Sequence, residues 1–109
     1  MARNILILNG ASRRNGHTAG LVRAFTEGAR SAGHSVQEFY LAGMHIRGCA
    51  GCLHAGRDPR SPCAQKDDME PIYSAFARCD VVVFASPVYF WTITGPLKMA
   101  ADRLYAELE

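Results

Sequence analysis

The sequence predicts an α/β protein in which a parallel sheet lies between layers of helices. Two runs of consecutive apolar residues, Ile5–Leu8 and Val81–Ala85, carry this prediction. Strands without polar alternation are typical of parallel sheets that are buried on both faces. Segments with helical spacing of apolar residues alternate with the strands, and this β-α-β-α-β-α order indicates right-handed crossovers with helices on both faces.

The first helix and the second strand follow the polar loop after the first strand. Gly33 is expected to end that helix. Residues 35–41 are predicted to form the second strand. The helix itself is predicted from apolar residues at helical spacing, namely Leu21, Val22, Phe25, Ala29 and Ala32.

Two further helices are predicted in the second half of the chain. Asp67 is the expected N-cap of the second helix, and Glu70 completes a capping box with it. The segment 42–66 before it is a long loop, which is uncommon unless the loop is functional or mobile. The last helix is indicated by the spacing of Leu97, Ala101, Leu104 and Leu108.

Size and composition narrow the class of protein. The 109 residues suffice for one small domain, which we place at 1–109, and 49% hydrophobic residues can form a core. A net charge of +2 on scattered residues does not indicate a nucleic acid partner. No apolar stretch is long enough for a membrane span, and the chain start leaves no room for a signal peptide. We therefore expect a cytoplasmic protein.

The loop Gly10–Thr18 is expected to bind an anion. It joins a strand to a helix N-terminus, where free backbone N–H groups and the helix dipole attract negative charge. Ser12 and Thr18 add hydroxyl groups, and Arg13 and Arg14 add positive charge. A polar β-α turn without a ligand is the alternative interpretation.

The spacing within this loop differs from that of two common nucleotide loops. Five residues separate Gly10 from Gly16, and His17 follows, so the Walker A pattern and its lysine are absent from the sequence. Ser12 stands where the dinucleotide fingerprint requires its second glycine. The spacing of this loop therefore favours neither ATP nor NAD as the ligand whose phosphate it binds.

The loop sequences resemble those of the NADPH-dependent FMN reductases and the iron–sulfur flavoproteins, which have the flavodoxin-like fold. Residues 9–18 resemble their phosphate loop, and residues 86–91 resemble their flavin-ring loop. Residues 95–98 and 102–104 resemble the helix that follows. The resemblance covers the whole of this chain, which corresponds to about the first half of a usual family member. It implies a three-layer sheet with strand order 2-1-3, without the fourth and fifth strands.

The resemblance implies FMN as the cofactor and NAD(P)H as the electron donor. The implied activity is electron transfer through FMN to a small acceptor such as a quinone or free flavin, with no catalytic acid or base identified. A non-catalytic flavin-binding electron carrier and a vestigial half-domain with an assembly role are the alternatives. The residues implied at the phosphate are Ser12, Arg14, Gly16, His17 and Thr18, and those implied at the flavin ring are Pro87, Val88, Tyr89, Phe90 and Trp91.

Two features of these motifs leave their roles open. Family members usually carry serine where this chain has Ala11, so one phosphate hydroxyl is replaced. The aromatic run 89–91 suits stacking on a planar ring. It would equally suit an exposed patch used for packing or dimerisation.

Three cysteines in the segment 42–66 also follow the pattern of the iron–sulfur flavoproteins: Cys49, Cys52 and Cys63. Ala55 stands where a further cysteine would complete a set of four thiolates, so an iron–sulfur cluster is not favoured. We expect free thiols and no metal at this loop. A zinc site with His45 or His54 as the fourth ligand is the alternative.

Four other residues are given structural roles. Cys79 is expected to be a small buried hydrophobic residue at the end of the second helix, and His34 a surface residue at a turn. Asp102 and Arg103 are expected on a solvated helix face or at an interface.

The strand at 81–85 is apolar, and its outer edge has no partner in the sequence. Proteins normally cover such an edge. We therefore expect a homodimer or a higher oligomer in which another copy covers it. A fragment of a longer reading frame is the alternative.

Overall fold

The computed structural model describes residues 1–53 and 55–107, which form a three-stranded parallel sheet with helices on both faces. Its strands are β1 (Asn4–Asn9), β2 (Ser35–Tyr40) and β3 (Val81–Ala85). β1 lies in the centre, so the strand order is 2-1-3 as expected. Ile5 pairs with Val36 on one side and with Val81 on the other. This is the flavodoxin-like arrangement.

The first face of the sheet is covered by α1 (His17–Ser31). Ile5 and Ile7 of β1 pack there with Val22. Ile7 is fully buried because it lies on the central strand. Leu21 of α1 is largely exposed and lies on the side of the helix nearest β3.

The second face carries α2 (Met69–Arg78) and α3 (Gly95–Arg103). Leu6 and Leu8 of β1 point to this face. They form the larger core with residues of both helices and of the 3₁₀ turn at 41–43. The continuous apolar run of β1 is therefore buried on both faces, as the sequence predicts.

β3 differs from the expectation of burial on both faces. Val81 is 42% exposed and Phe84 is 52% exposed. The reason is that, within the described residues, β3 has no neighbouring strand on its outer side. Apolar grooves of about 650 Å³ flank it, one toward Leu21 and Phe25 of α1 and one toward Tyr105.

The end of α1 follows the predicted pattern. Gly33 has a φ of +92°, a left-handed conformation that favours glycine. The backbone N–H groups of Gly33 and His34 donate to carbonyls of the last helical turn. His34 then accepts a hydrogen bond from the Arg3 backbone N–H at 3.0 Å, which joins the turn to the start of β1.

The predicted capping box at α2 is wrong. The helix begins at Met69, and the Glu70 carboxylate accepts a hydrogen bond from the Ser61 hydroxyl at 2.9 Å instead of reaching back to the cap. One carboxylate oxygen of Asp67 does accept from the Met69 N–H, at 3.1 Å. Its other oxygen accepts from the Arg47 N–H at 2.9 Å, so Asp67 holds the long loop as well as the helix.

The expectation that Arg103 lies on a solvated face is also wrong. Its side chain is 0% exposed and forms a bidentate ion pair with Asp67, whose side chain is 1% exposed. The guanidinium also donates to the carbonyls of Arg47 and Gln65. Arg103 therefore holds Arg47, Gln65 and Asp67 against α3. Asp102, by contrast, is exposed and pairs with Lys98 on the helix surface.

The chain continues past α3 as a 3₁₀ turn at Leu104–Glu107. Leu108, which the sequence placed on the last helix, lies outside the described residues. Cys79 is half-buried against the core at the end of α2, in keeping with an apolar role. None of the helices in the described ranges is long and apolar enough to cross a membrane.

Candidate functional site

Two loops follow the carboxyl ends of β1 and β3 and lie side by side. The first loop is 10–18, which includes the start of α1, and the second loop is 86–94. Gly10, at the end of β1, donates its N–H to the Ala85 carbonyl at 2.8 Å and accepts a hydrogen bond from the Thr94 hydroxyl at 2.7 Å. A Cβ at Gly10 would lie 2.6 Å from that hydroxyl oxygen. The close approach therefore requires glycine and joins the first loop to the start of α3.

Asn9 fixes the first residues of the loop. Its side-chain oxygen accepts a hydrogen bond from the Ala11 N–H at 2.9 Å, and its amide donates to the Glu38 carboxylate at 2.9 Å. Asn9 is buried, so these bonds satisfy polar atoms that water does not reach. The loop thus leaves the sheet in a defined direction.

The loop ends at the N-terminus of α1. Gly16 occupies the N-cap position, and within the described residues no side chain caps this end. The first turn carries no acidic residue, and the Arg13 guanidinium lies close to Gly16. Uncapped N–H groups, the helix dipole and an adjacent arginine together favour an anion at this point.

The second loop is held by Ser86 and Thr94. The Ser86 hydroxyl accepts a hydrogen bond from the Thr94 N–H at 3.0 Å and donates to the Pro87 carbonyl at 2.7 Å. Thr94 is buried and caps α3 through the N–H of Leu97. Both ends of the second loop are therefore tied together at the base of the site.

The tip of the second loop is a tight turn that presents aromatic rings to solvent. Backbone hydrogen bonds join Tyr89 and Thr92 in both directions. Phe90 and Trp91 between them have φ values of +45° and +76° and are 92% and 91% exposed. Positive φ at two bulky residues stores strain, a feature that clusters at functional sites.

The two loops meet across a cavity of about 130 Å³. Its two sides are joined by a hydrogen bond of 2.5 Å between the Ser12 and Tyr89 hydroxyls. Ala11 is buried at this cavity, and Arg13 adds positive charge beside the helix N-terminus, which favours an anionic ligand. The residues that line it are Ala11, Ser12, Arg13, Gly16, His17, Thr18, Pro87 and Tyr89.

The cavity brings together most of the site residues proposed from the sequence, but not all. Arg14 lies elsewhere, with its guanidinium 4.1 Å from the centre of the Tyr40 ring. Val88, Phe90 and Trp91 project from the second loop and do not line the cavity. Arg13, which the sequence offered only as a source of charge, takes the place at the cavity that Arg14 was expected to fill.

The cysteine loop, which is the segment 42–66, contributes its three cysteines to a separate cavity on the α3 side. Cys49 and Cys52 are exposed, Cys63 is half-buried, and all three are free thiols. Within the described residues no three His, Cys, Asp or Glu side chains are arranged to hold a metal ion. His45 uses its backbone N–H to bind the Asp68 carboxylate, and His54 lies outside the described residues.

The fold places the chain among α/β proteins with the flavodoxin-like arrangement, in which the loops at the carboxyl ends of the strands form the usual ligand site. Comparison with known proteins narrows this class. A family described as NADPH-dependent FMN reductase matches residues 3–109. The chain belongs to this family, as its loop sequences indicate.

Two relatives agree with this assignment, and a solved structure agrees with the fold. An iron–sulfur flavoprotein of Archaeoglobus fulgidus is 28% identical over 99 residues, covering 91% of this chain and 47% of that protein. One of Clostridioides difficile is 30% identical over 108 residues, covering 96% and 47%. An NAD(P)H:quinone oxidoreductase structure from Methanothermobacter marburgensis is similar with a TM-score of 0.77 and 23% identity, covering 96% and 54%. The chain thus spans about half the length of the curated relatives it matches.

Proposed function

We propose that this chain binds FMN and acts as an oxidoreductase that passes electrons from NAD(P)H to a small acceptor. One observation carries the proposal. The cavity joins the uncapped N-terminus of α1 to the aromatic second loop, through the hydrogen bond between Ser12 and Tyr89. A ligand with a phosphate at one end and a planar ring at the other would use both sides of such a site.

The first loop fits the phosphate of FMN. The backbone N–H groups at the start of α1 and the hydroxyls of Ser12 and Thr18 are donors, and Arg13 supplies positive charge. The donor set is the type that phosphates require at a helix N-terminus. Ala11 offers only its methyl group, so Ser12 carries the hydroxyl contact on that side of the loop.

The second loop fits the flavin ring. Pro87 and Tyr89 line the cavity, and Phe90 and Trp91 stand exposed beside it. Aromatic side chains on a hydrogen-bonded backbone turn can stack on a planar ring without ordering of the loop backbone. When bound, the flavin supplies the redox chemistry, and the chain supplies binding and orientation.

The proposed acceptor is a small molecule such as a quinone or free flavin. The family description supports NADPH as the donor, and the name of the structurally similar oxidoreductase supports a quinone as one acceptor. The aromatic turn is exposed to solvent, which also supports a diffusible acceptor, because such a molecule must reach the flavin from solution. The proposed compartment is the cytoplasm, where the four free cysteines would stay reduced.

Visible spectroscopy tests this proposal. We expect the purified chain to bind FMN and the bound flavin to bleach with NADPH. Flavin that bleaches only with dithionite would favour an electron carrier. The absence of FMN binding at micromolar protein would overturn the proposal and favour an assembly role.

Replacement of Ser12 tests the cavity itself. Ser12→Ala removes the hydroxyl that meets Tyr89 and is expected to weaken FMN binding about fivefold to tenfold, the usual effect of about 1 kcal/mol from one lost hydrogen bond. Ser31→Ala is the matched control, since Ser31 lies at the far end of α1. Equal FMN affinities of the two variants would place the phosphate elsewhere.

We also propose that a second copy of the chain covers the outer edge of β3. Val81 and Phe84 are half-exposed there, and apolar grooves flank the strand on both sides. An apolar edge strand normally requires a cover. Sedimentation of the folded chain is expected to give a dimer or larger species, and Phe84→Lys is expected to dissociate it. A strictly monomeric folded species would contradict this proposal.

A further inference from the structure

The cysteine loop and α3 enclose a small cavity of about 30 Å³ on the side of the molecule away from α1. The three loop cysteines, Cys49, Cys52 and Cys63, all line it, together with Arg103 and Tyr105. None of these residues lines the cavity at the N-terminus of α1. The proposed flavin site therefore leaves this cluster of thiols unexplained.

Arg103 contributes an unused hydrogen-bond donor at this cavity. Its two terminal nitrogens donate to Asp67 and to the carbonyls of Arg47 and Gln65. Its Nε is buried and has no partner among the described residues. A buried charged donor without an acceptor is costly, so a negative group beside it would be stabilised.

Cys63 is the cysteine whose thiol lies near the Arg103 guanidinium at this cavity. Burial by itself raises the pKa of Cys63, but the Gln65 N–H, the Tyr73 hydroxyl and the Arg103 guanidinium outweigh it and lower the pKa below its ordinary value. Cys79 provides a contrast within the same chain. Burial, together with the charge of Asp80, raises the pKa of the Cys79 thiol.

We propose that Cys63 is a redox-active thiol, which hydrogen peroxide oxidises and which then forms a disulfide with Cys49 or Cys52 across this cavity. Cys63 lines the cavity together with Arg103, whose buried Nε is a positive donor that favours the nucleophilic thiolate form of cysteine. Cys63 is half-buried, so a small oxidant can reach its sulfur. Cys49 and Cys52 are exposed free thiols that line the same cavity as Cys63, so either can serve as the resolving thiol.

The reaction balances in two steps. The Cys63 sulfur attacks one oxygen of the peroxide, the O–O bond breaks, and one water leaves as Cys63 becomes a sulfenic acid. The thiol of Cys49 or Cys52 then attacks that sulfur, the S–O bond breaks, and a second water leaves as the S–S bond forms. Two thiols are oxidised to one disulfide, and one hydrogen peroxide is reduced to two waters.

Alkylation kinetics test the reactivity of Cys63 in the folded, chelator-treated full chain. Cleavage after Arg and Lys places Cys63 on the peptide 61–66 and Cys79 on a separate peptide, so mass spectrometry follows both thiols in one sample. At pH 7 we expect iodoacetamide to modify Cys63 at least about threefold faster than Cys79, with the ratio falling to about one in urea. Equal rates in the folded chain would overturn the assignment of Cys63.

Peptide mapping after peroxide treatment tests the disulfide. We expect a crosslink between the peptide 61–66 and the peptide 48–57, which contains Cys49 and Cys52. Cys63→Ser should abolish it, Cys79→Ser should leave it unchanged, and Cys49→Ser and Cys52→Ser identify the partner. Oxidation confined to Cys49 and Cys52, with Cys63 left as a thiol, would refute the proposal.

Discussion

The buried ion pair between Asp67 and Arg103 should be the polar contact on which the fold depends most. Its two side chains are 1% and 0% exposed, and the pair joins the long loop to α3. Asp67→Asn keeps the shape of the side chain but leaves the Arg103 guanidinium buried without its counter-charge. Breaking a buried pair in this way costs about 3–5 kcal/mol. That is a large part of the roughly 5–15 kcal/mol by which such domains are stable.

Urea unfolding followed by circular dichroism measures this loss. The matched control is Asp102→Asn on α3, which breaks the exposed pair with Lys98 and should cost at most about 0.5 kcal/mol. The comparison isolates burial, because both substitutions neutralise an aspartate that is paired with a basic residue of α3. Similar losses of unfolding free energy in the two variants would refute the reasoning.

The same pair predicts a pH dependence of stability. Burial opposes ionisation of Asp67, but the Arg103 guanidinium and the N–H groups of Arg47 and Met69 outweigh it and hold the pKa of Asp67 far below its usual range. The folded pKa is lower than the unfolded value of about 3.9, so the stabilisation is complete above that pH and is lost as the pH falls below it. Acid titration of the unfolding free energy should show this loss in the wild type and a smaller one in Asp67→Asn.

Two further substitutions test the loops of the proposed flavin site. Gly10→Ala places a Cβ 2.6 Å from the Thr94 hydroxyl oxygen and should cost about 1–3 kcal/mol in thermal or urea unfolding; an unchanged stability would contradict the observed close approach. Trp91→Gly relieves a positive φ and should raise stability by about 0.5–1 kcal/mol while weakening FMN binding. Leu53→Gly is the control, since Leu53 is also exposed with a φ of +58°, and it should gain stability with FMN affinity unchanged.

The sheet could be predicted from the sequence because its signals are local. The apolar run of β1 has no polar interruption, and Gly33 supplies the left-handed residue that ends α1. The incomplete burial of β3 could not be inferred from its composition, because it depends on which strands flank it. The apolar run Val81–Ala85 predicts a central strand. In the strand order of the described residues, however, β3 lies at an edge of the sheet.

The buried ion pair was missed because its partners lie 36 residues apart. A charged residue near a helix end normally lies in solvent, and Asp67 has the sequence context of an N-cap. A signal was nevertheless available in α3. Leu97 and Ala100 form a series at spacing three that continues to Arg103, which places an arginine on the buried face of the helix. A buried arginine requires a carboxylate beside it, and Asp67 supplies that carboxylate to Arg103.

The two loops of the proposed flavin site are mechanically linked, and this explains how the strained turn persists. The conformations of Phe90 and Trp91 cost free energy, so the rest of the loop must hold them. Ser86 and Thr94 close the base of that loop, and Thr94 binds Gly10 in the first loop. A change at the phosphate end should therefore shift the aromatic turn, and binding of one end of the ligand should favour the geometry required by the other.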